Sequence, residues 1–135
     1  MLKKALKRKP SRKGLILKLN SLYRQIIRLR DKHICQHCGK HVTGADEHVS
    51  HVVPVSAGNK LRWDLSNAKI MCFHCHINWW HKNPIESGDW FKAKFPERAK
   101  YLEANKGTAI YKQFHLELLK DNLTKVLEEL NGRSL

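Results

Sequence analysis

Two closely spaced pairs of cysteines constrain this chain more than any other feature. Cys35 and Cys38 form one Cys-x-x-Cys pair, and Cys72 and Cys75 form the other. Each pair presents two sulfur atoms to the same side of a tight turn, so the two pairs together can complete the tetrahedral shell of one zinc ion. The sequence therefore predicts a structural Zn²⁺ site that pins both ends of the segment 39–71.

The same cysteines indicate the compartment in which the chain folds. The two pairs leave no cysteine over, and residues 1–6 lack the apolar segment that directs secretion. We therefore expect a reducing, cytoplasmic setting, with two disulfides in a secreted domain as the alternative. No run of the sequence approaches the roughly 18 apolar residues of a membrane span, so we expect no membrane partner.

The chain is strongly basic. Its 135 residues include 26 Lys and Arg against 12 Asp and Glu, which gives a net charge of +14. Residues 1–32 hold 12 of the basic side chains and one acid, Asp31. This balance is typical of nucleic-acid binding, although ribosomal and membrane-surface proteins share it, so charge alone does not specify DNA.

Hydrophobic periodicity predicts a small α+β fold. Apolar residues recur at helical spacing over residues 15–29 and predict an amphipathic helix that leads into the first cysteine pair. The residues before it are interrupted by Pro10 and Gly14 and predict a mobile arm. Further elements follow from the same patterns: strands at 47–53 and 68–71, and helices at 76–81, 84–95, 96–106 and beyond Gly107.

These elements suggest three parts of the chain. Residues 1–32 form a basic arm and helix, residues 33–83 a zinc-stapled core, and residues 84–135 a helical extension. The apolar positions of the last helix predict packing against the core or against a second copy of the chain, which would make a homodimer.

Three polar residues follow the first cysteine pair in the order His51, Asn67, His76. With the cysteine pairs, this order resembles that of HNH, or ββα-metal, endonucleases of the four-cysteine zinc type. Finer detail is similar to phage-encoded HNH proteins related to the NinG/Rap recombination nucleases, from residue 33 to about residue 100. The motifs that carry this likeness are Ser50-His51-Val52-Val53-Pro54, Gly58-Asn59, Arg62-Trp63-Asp64, Cys72-x-x-Cys75-His76 and the segment 79–84.

The resemblance implies a role for each of the three residues. His51 takes the position of the general base that deprotonates the attacking water, a task that suits a neutral imidazole. His76 takes a position that binds the catalytic ion, and Asn67 would brace the loop that carries the base or cap a turn. The implied catalytic cofactor is Mg²⁺ or Mn²⁺.

One position departs from the pattern of the family. Many members carry Asp directly before the base as a second ligand of the ion, whereas this chain has Ser50. We expect His76 to hold the ion with water and phosphate oxygens, joined by Ser50 or by His48, which shares the strand face of Ser50. His81 lies about 140° from His76 around an α-helix, so we do not expect both to bind one ion.

Basic side chains are the candidates for DNA contacts. The guanidinium of Arg62 can bind two phosphate oxygens at once, although an Arg without a role at the surface fits its position equally well. The other candidates lie in the N-terminal segment: Lys3, Lys4, Lys7, Arg8, Lys9, Arg12, Lys13, Arg24 and Arg28.

Two functions fit these observations. The first is a metal-dependent DNA endonuclease with structure-dependent cutting, of branched or recombination DNA, in the host-cell cytoplasm if the protein is phage-encoded. The second is a non-catalytic zinc module that binds DNA or RNA, for which the zinc site and the charge suffice. The order of His51, Asn67 and His76 favours the endonuclease, because a binding module does not need it.

Overall fold

The computed structural model describes residues 10–133 and has the mixed architecture that the sequence predicts. Its α-helices are α1 (Arg12–Arg30), α2 (Pro84–Lys94), α3 (Pro96–Asn105) and α4 (Gln113–Arg133), and its strands are β1 (His48–His51) and β2 (Ala68–Met71). A π-helix, His74–Trp80, follows β2. Within the described residues, no helix is both long and apolar enough to cross a lipid bilayer.

Helix α1 begins earlier than the sequence suggested. The side chain of Ser11 caps it by accepting a hydrogen bond from the Gly14 backbone N–H at 3.0 Å. The expected break at Gly14 is therefore wrong, because a capped first turn tolerates this glycine. Pro10 lies before the helix, where its missing N–H breaks no helical hydrogen bond. We expected the mobile arm to extend through Gly14, but residues 12–14 belong to α1, and residues 1–9 lie outside the described part of the chain.

The two strands form an antiparallel sheet with a defined register. Ser50 pairs with Lys69, and His51 pairs with Ala68. Strand β2 has the predicted bounds, whereas β1 ends at His51 instead of continuing to Val53. The ladder stops there because the side chain of Asn67 takes over the hydrogen bonds of Val53.

Helices α1 and α4 pack along each other and enclose the main core. The predicted apolar face of α1 is buried, and Leu116 and Leu123 of α4 lie in the same cluster. The terminal helix thus packs against the core of its own chain, the first of the two arrangements predicted for it. No observation supports a homodimer.

Helix α2 and helix α3 form a smaller layer beside the sheet. Phe91 and Leu102 are buried there with Leu61. Arg98 of α3 donates to the backbone carbonyl of Ala68 at 2.7 Å, which ties this layer to β2.

Candidate metal centre and active site

The four cysteines converge on one point. Their sulfur atoms all lie within 4.8 Å of one another, close enough to share one ion. Cys35, Cys72 and Cys75 are buried, and Cys38 is exposed. The predicted four-cysteine metal site is confirmed, and its all-thiolate donor set and tetrahedral number of ligands fit Zn²⁺.

Local backbone contacts build this cluster. The first pair closes with a turn in which Gly39 donates to the Cys35 carbonyl at 2.9 Å and adopts a φ of 81°, a value that favours glycine. Burial raises the pKa of the Cys35 thiol, but nearby backbone N–H groups outweigh it and lower this pKa to about 7. A thiolate is the form that binds zinc, so the backbone favours the ligating state.

A histidine and two tryptophans surround the cluster. The Nδ1 atom of His37 lies 3.2 Å from the sulfur of Cys75. Its ring stacks on Trp79, with 3.7 Å between centroids, and meets Trp90 edge-on. Trp79 therefore belongs to the packing around the metal centre, and Trp80 packs against both hydrophobic clusters.

The structure orients His51 at the end of β1. Its Nε2 atom lies 3.3 Å from the Arg62 carbonyl oxygen, which can only accept, so Nε2 carries the hydrogen. Burial lowers the pKa of His51 from its ordinary 6.5, against the opposing effect of this hydrogen bond. The ring is thus neutral at pH 7, and Nδ1 keeps a lone pair that no group in residues 10–133 engages.

One aromatic neighbour packs against the His51 ring. Tyr23 of α1 lies parallel to it, with 5.6 Å between centroids and 4° between planes. The Tyr23 hydroxyl donates to the Asp64 carbonyl at 2.6 Å. Sequence reasoning missed Tyr23, since it occupies a core position of an amphipathic helix and carries no local signal of a second contact.

Asn67 is fully buried and spans the two segments beside His51. Its side-chain oxygen accepts from the Val53 N–H at 2.8 Å, and its amide donates to the carbonyls of Val53 and Leu61 at 2.9 and 3.2 Å. The side chain thereby links the end of β1 to the loop that precedes Arg62. Asn67 therefore holds these two segments together beside His51.

Three histidines form a hydrogen-bonded chain on the opposite face of β1. His48 Nε2 lies 3.0 Å from the Ala45 carbonyl, His48 Nδ1 lies 2.9 Å from His76 Nδ1, and His76 Nε2 lies 3.1 Å from His81 Nε2. The carbonyl requires His48 to carry its hydrogen on Nε2, so His48 Nδ1 accepts from His76. Burial, with the nearby His81 and His48, lowers the pKa of His76 to about 4 and keeps it neutral.

The position of His81 corrects a prediction. The π-helix makes backbone hydrogen bonds between residues five apart, and His81 N–H donates to the His76 carbonyl at 3.1 Å. Residues 76 and 81 therefore share a face, which the assumption of an α-helix excluded. Nothing in the sequence periodicity distinguishes seven residues of π-helix from α-helix.

A buried lysine occupies the same strand face. The ammonium of Lys69 donates to the hydroxyl of Ser50 at 2.8 Å and lies 3.3 Å from the centroid of the Trp80 ring. Both Lys69 and Ser50 have no exposed surface, and no carboxylate in the described residues forms an ion pair with Lys69. Sequence reasoning treated Lys69 only as part of an apolar strand and missed this contact.

Two clefts meet at His51. The first, the cationic cleft, has a volume of about 250 Å³ and is lined by His51, Arg24 and Arg62. The second, the apolar cleft, also has about 250 Å³ and lies between the end of β1, the π-helix and α2. His51 is the residue that lines both of them.

The remaining predicted DNA contacts are dispersed. Arg28 approaches Glu47 at 3.7 Å instead of facing the cationic cleft, while Arg12 and Lys13 are exposed in the first turn of α1. Five others lie outside the described residues: Lys3, Lys4, Lys7, Arg8 and Lys9.

One family model matches part of this chain. Residues 35–78 match the HNH endonuclease family. The match spans both cysteine pairs and the residues His51, Asn67 and His76. No curated protein and no solved structure matches the chain. The finer likeness to phage recombination nucleases is not shown by these comparisons.

Removal of the metal should unfold the protein. We expect one zinc ion per chain by elemental analysis, and loss of the cooperative thermal transition when a chelator strips it. Structural zinc sites contribute on the order of 10 kcal/mol to folding, which is comparable to the whole stability of a typical small domain. Folded protein that contains no zinc, or that contains two disulfides, would contradict this assignment.

Replacement of Lys69 by methionine should stabilise the fold at neutral pH. Burial lowers the pKa of Lys69 well below 10.5, so the unfolded chain binds this proton more tightly than the folded one. The stability of the wild type should therefore rise as the pH increases toward 10.5, and the advantage of Lys69→Met should shrink over the same range. Denaturant unfolding of both proteins between about pH 7 and pH 10 tests this. If Lys69→Met is more stable than the wild type by the same amount at every pH, the depressed pKa of Lys69 is not the cause.

Proposed function

We propose that this protein is a metal-dependent DNA endonuclease, because residues 35–78 match the HNH endonuclease family and the four cysteines are placed to bind a metal ion. The observation that carries the proposal is the geometry of His51. A neutral imidazole with a free Nδ1 lone pair lies in a cleft that is also lined by Arg24 and Arg62. A general base beside phosphate-binding cations is the arrangement that phosphodiester hydrolysis requires.

His51 acts as the general base in this proposal. Its Nδ1 accepts a proton from water as the water oxygen attacks phosphorus and the bond from phosphorus to the leaving oxygen breaks; the leaving oxygen then takes a proton from solvent. The hydrogen bond from Nε2 to the Arg62 carbonyl stabilises the imidazolium that results. Asn67 and Tyr23 position the base and take no part in proton transfer.

Arg24 and Arg62 bind the phosphates of the substrate. They come from α1 and from the loop before β2, so they approach His51 from two elements. Each guanidinium can donate two parallel hydrogen bonds to phosphate oxygens. We assign Arg28 a structural role, since it faces Glu47.

The divalent ion is assigned to His76 and His48. Their Nδ1 atoms lie 2.9 Å apart, a separation that suits two ligands of one transition-metal ion at about 2.1 Å each. Imidazole ligands favour Mn²⁺ over Mg²⁺. An ion held by these two residues would supply Lewis-acid chemistry. Ser50 supports this face through Lys69 instead of binding the ion directly.

One observation favours the alternative, a non-catalytic zinc module that binds nucleic acid. No carboxylate in the described residues pairs with His48, His76 or His81, while the ammonium of Lys69 lies on the same face. Nearby positive charge weakens the binding of a hard cation such as Mg²⁺. Activity in Mn²⁺ but not in Mg²⁺ would reconcile this observation with an endonuclease.

Substitution of His51, the proposed general base, should strongly reduce DNA cleavage without affecting zinc content or DNA binding. His51→Ala should lower the cleavage rate of plasmid DNA by about 10²–10⁴-fold, because the proton acceptor is removed. Zinc content and DNA affinity should stay near wild type. His76→Ala should also lose cleavage, but raised Mn²⁺ should restore part of it, since that variant weakens the binding of the ion.

The control for both variants is His41→Ala. His41 is exposed, and its ring lies beside that of the neighbouring His33, with 6.3 Å between centroids. Its removal should leave cleavage unchanged. Cleavage by His51→Ala at the wild-type rate would contradict the assignment of His51 as the general base. Wild-type protein that binds DNA but never cuts it with any divalent ion leaves the zinc module as the function.

Removal of residues 1–9 should weaken DNA binding through phosphates alone. The deletion retains Ser11, which caps α1, and removes five basic residues: Lys3, Lys4, Lys7, Arg8 and Lys9. The slope of log affinity against log salt should fall by about 0.9 for each DNA phosphate that these residues neutralise. Catalysis at saturating DNA should persist. Unchanged affinity and salt slope would show that this segment has another role.

A further inference from the structure

We propose that the apolar cleft binds one nucleobase of the substrate, unstacked from the strand beside the cut phosphate. The substrates of choice are then DNA molecules with an unpaired nucleotide at that position. The inference rests on the proposed function, because it takes the phosphate beside His51 as the point of cleavage.

The two clefts differ in chemistry although they have the same volume. Arg24 and Arg62 give the cationic cleft two fixed positive charges. The walls of the apolar cleft contain no Lys or Arg, and they consist of Val52, Pro54, Trp80, Pro84 and Gly88 together with the polar residues His51, His81 and Ser87. A strand that follows both clefts would place phosphate in the first and an uncharged group in the second.

The shape of the apolar cleft fits a small aromatic group. Its volume of about 250 Å³ lies just below the range of pockets for drug-sized ligands. One aromatic residue, Trp80, lines it together with His81, which can form a hydrogen bond to a base edge. An apolar body with a few polar contacts is the chemistry of a nucleobase, not of a phosphate.

The position of the apolar cleft beside His51 determines which nucleotide can place its base there. His51 lines both clefts, so a base in the apolar cleft belongs to a nucleotide adjacent to the phosphate that His51 serves. A base in a duplex must leave its stack to enter. The cost of unstacking is smallest for a mismatched or unpaired base, so the cleft selects DNA in which that base is already free.

Gly88 of α2 lines the apolar cleft. A β-carbon at this position would meet no neighbouring atom within 4 Å, so a larger side chain can enter without a clash in the backbone. Gly88 also lies within a helix, where alanine is more favourable than glycine. Gly88→Leu should therefore fill the cleft, and Gly88→Ala is the matched control that adds one methyl group.

The test measures binding to two duplexes that differ by a single unpaired nucleotide, without added Mg²⁺ or Mn²⁺. Base stacking on aromatic residues predicts that the wild type binds the unpaired duplex about tenfold more tightly. Gly88→Leu should reduce this preference to about one, with unchanged affinity for the paired duplex. Gly88→Ala should keep the preference. Thermal melting verifies that each variant is folded.

A fluorescent base analogue in the unpaired position gives a second readout in the wild type. Its emission should change on binding, whereas the same analogue several nucleotides away should not respond. A wild type without preference, a silent analogue, or a folded Gly88→Leu that retains the preference overturns the proposal. The binding test requires no cleavage. A protein that prefers the unpaired duplex but never cuts DNA would therefore refute the nuclease function and still support the base site.

Discussion

The convergence of four cysteine sulfurs within 4.8 Å is the constraint on which the rest of this structure depends. The two pairs fix the segment between them at both ends, and Gln36 of the first pair donates to Ile70 of β2. Cys75 lies inside the π-helix and directly before His76, so the cysteine cluster ties the start of that helix to the first cysteine pair. A domain this small has little apolar surface to spare, and a metal site supplies the missing stability.

Backbone carbonyls then define the chemistry of the histidines. The Arg62 carbonyl fixes the hydrogen of His51 on Nε2, and the Ala45 carbonyl fixes that of His48 on Nε2. A carbonyl cannot donate, so each contact leaves the other ring nitrogen as an acceptor. Burial keeps His51 and His76 neutral. The opposite faces of β1 thus carry a candidate base and a candidate ion site, because successive strand residues alternate between faces.

Lys69 is an unusual residue for a protein interior. An ammonium with no exposed surface loses its hydration, and here a hydroxyl and an indole ring replace that hydration instead of a carboxylate. Lys69 lies opposite Ser50 in the sheet register, and its ammonium donates to the Ser50 hydroxyl. The residue directly before His51 thus contributes a hydroxyl to a buried ammonium that no carboxylate of the described residues pairs with.

The sequence by itself determined the metal site, the strand β2, most of the helices and the order of His51, Asn67 and His76, because Cys-x-x-Cys spacing and hydrophobic period are local properties. Only the tertiary structure decided what touches these residues. The stack of Tyr23 on His51 and the burial of Lys69 against Trp80 each join two different elements. The contact of His76 with His81 depends on the extra residue per turn of the π-helix. Periodicity in one chain segment does not encode such contacts, since they arise when separate elements pack.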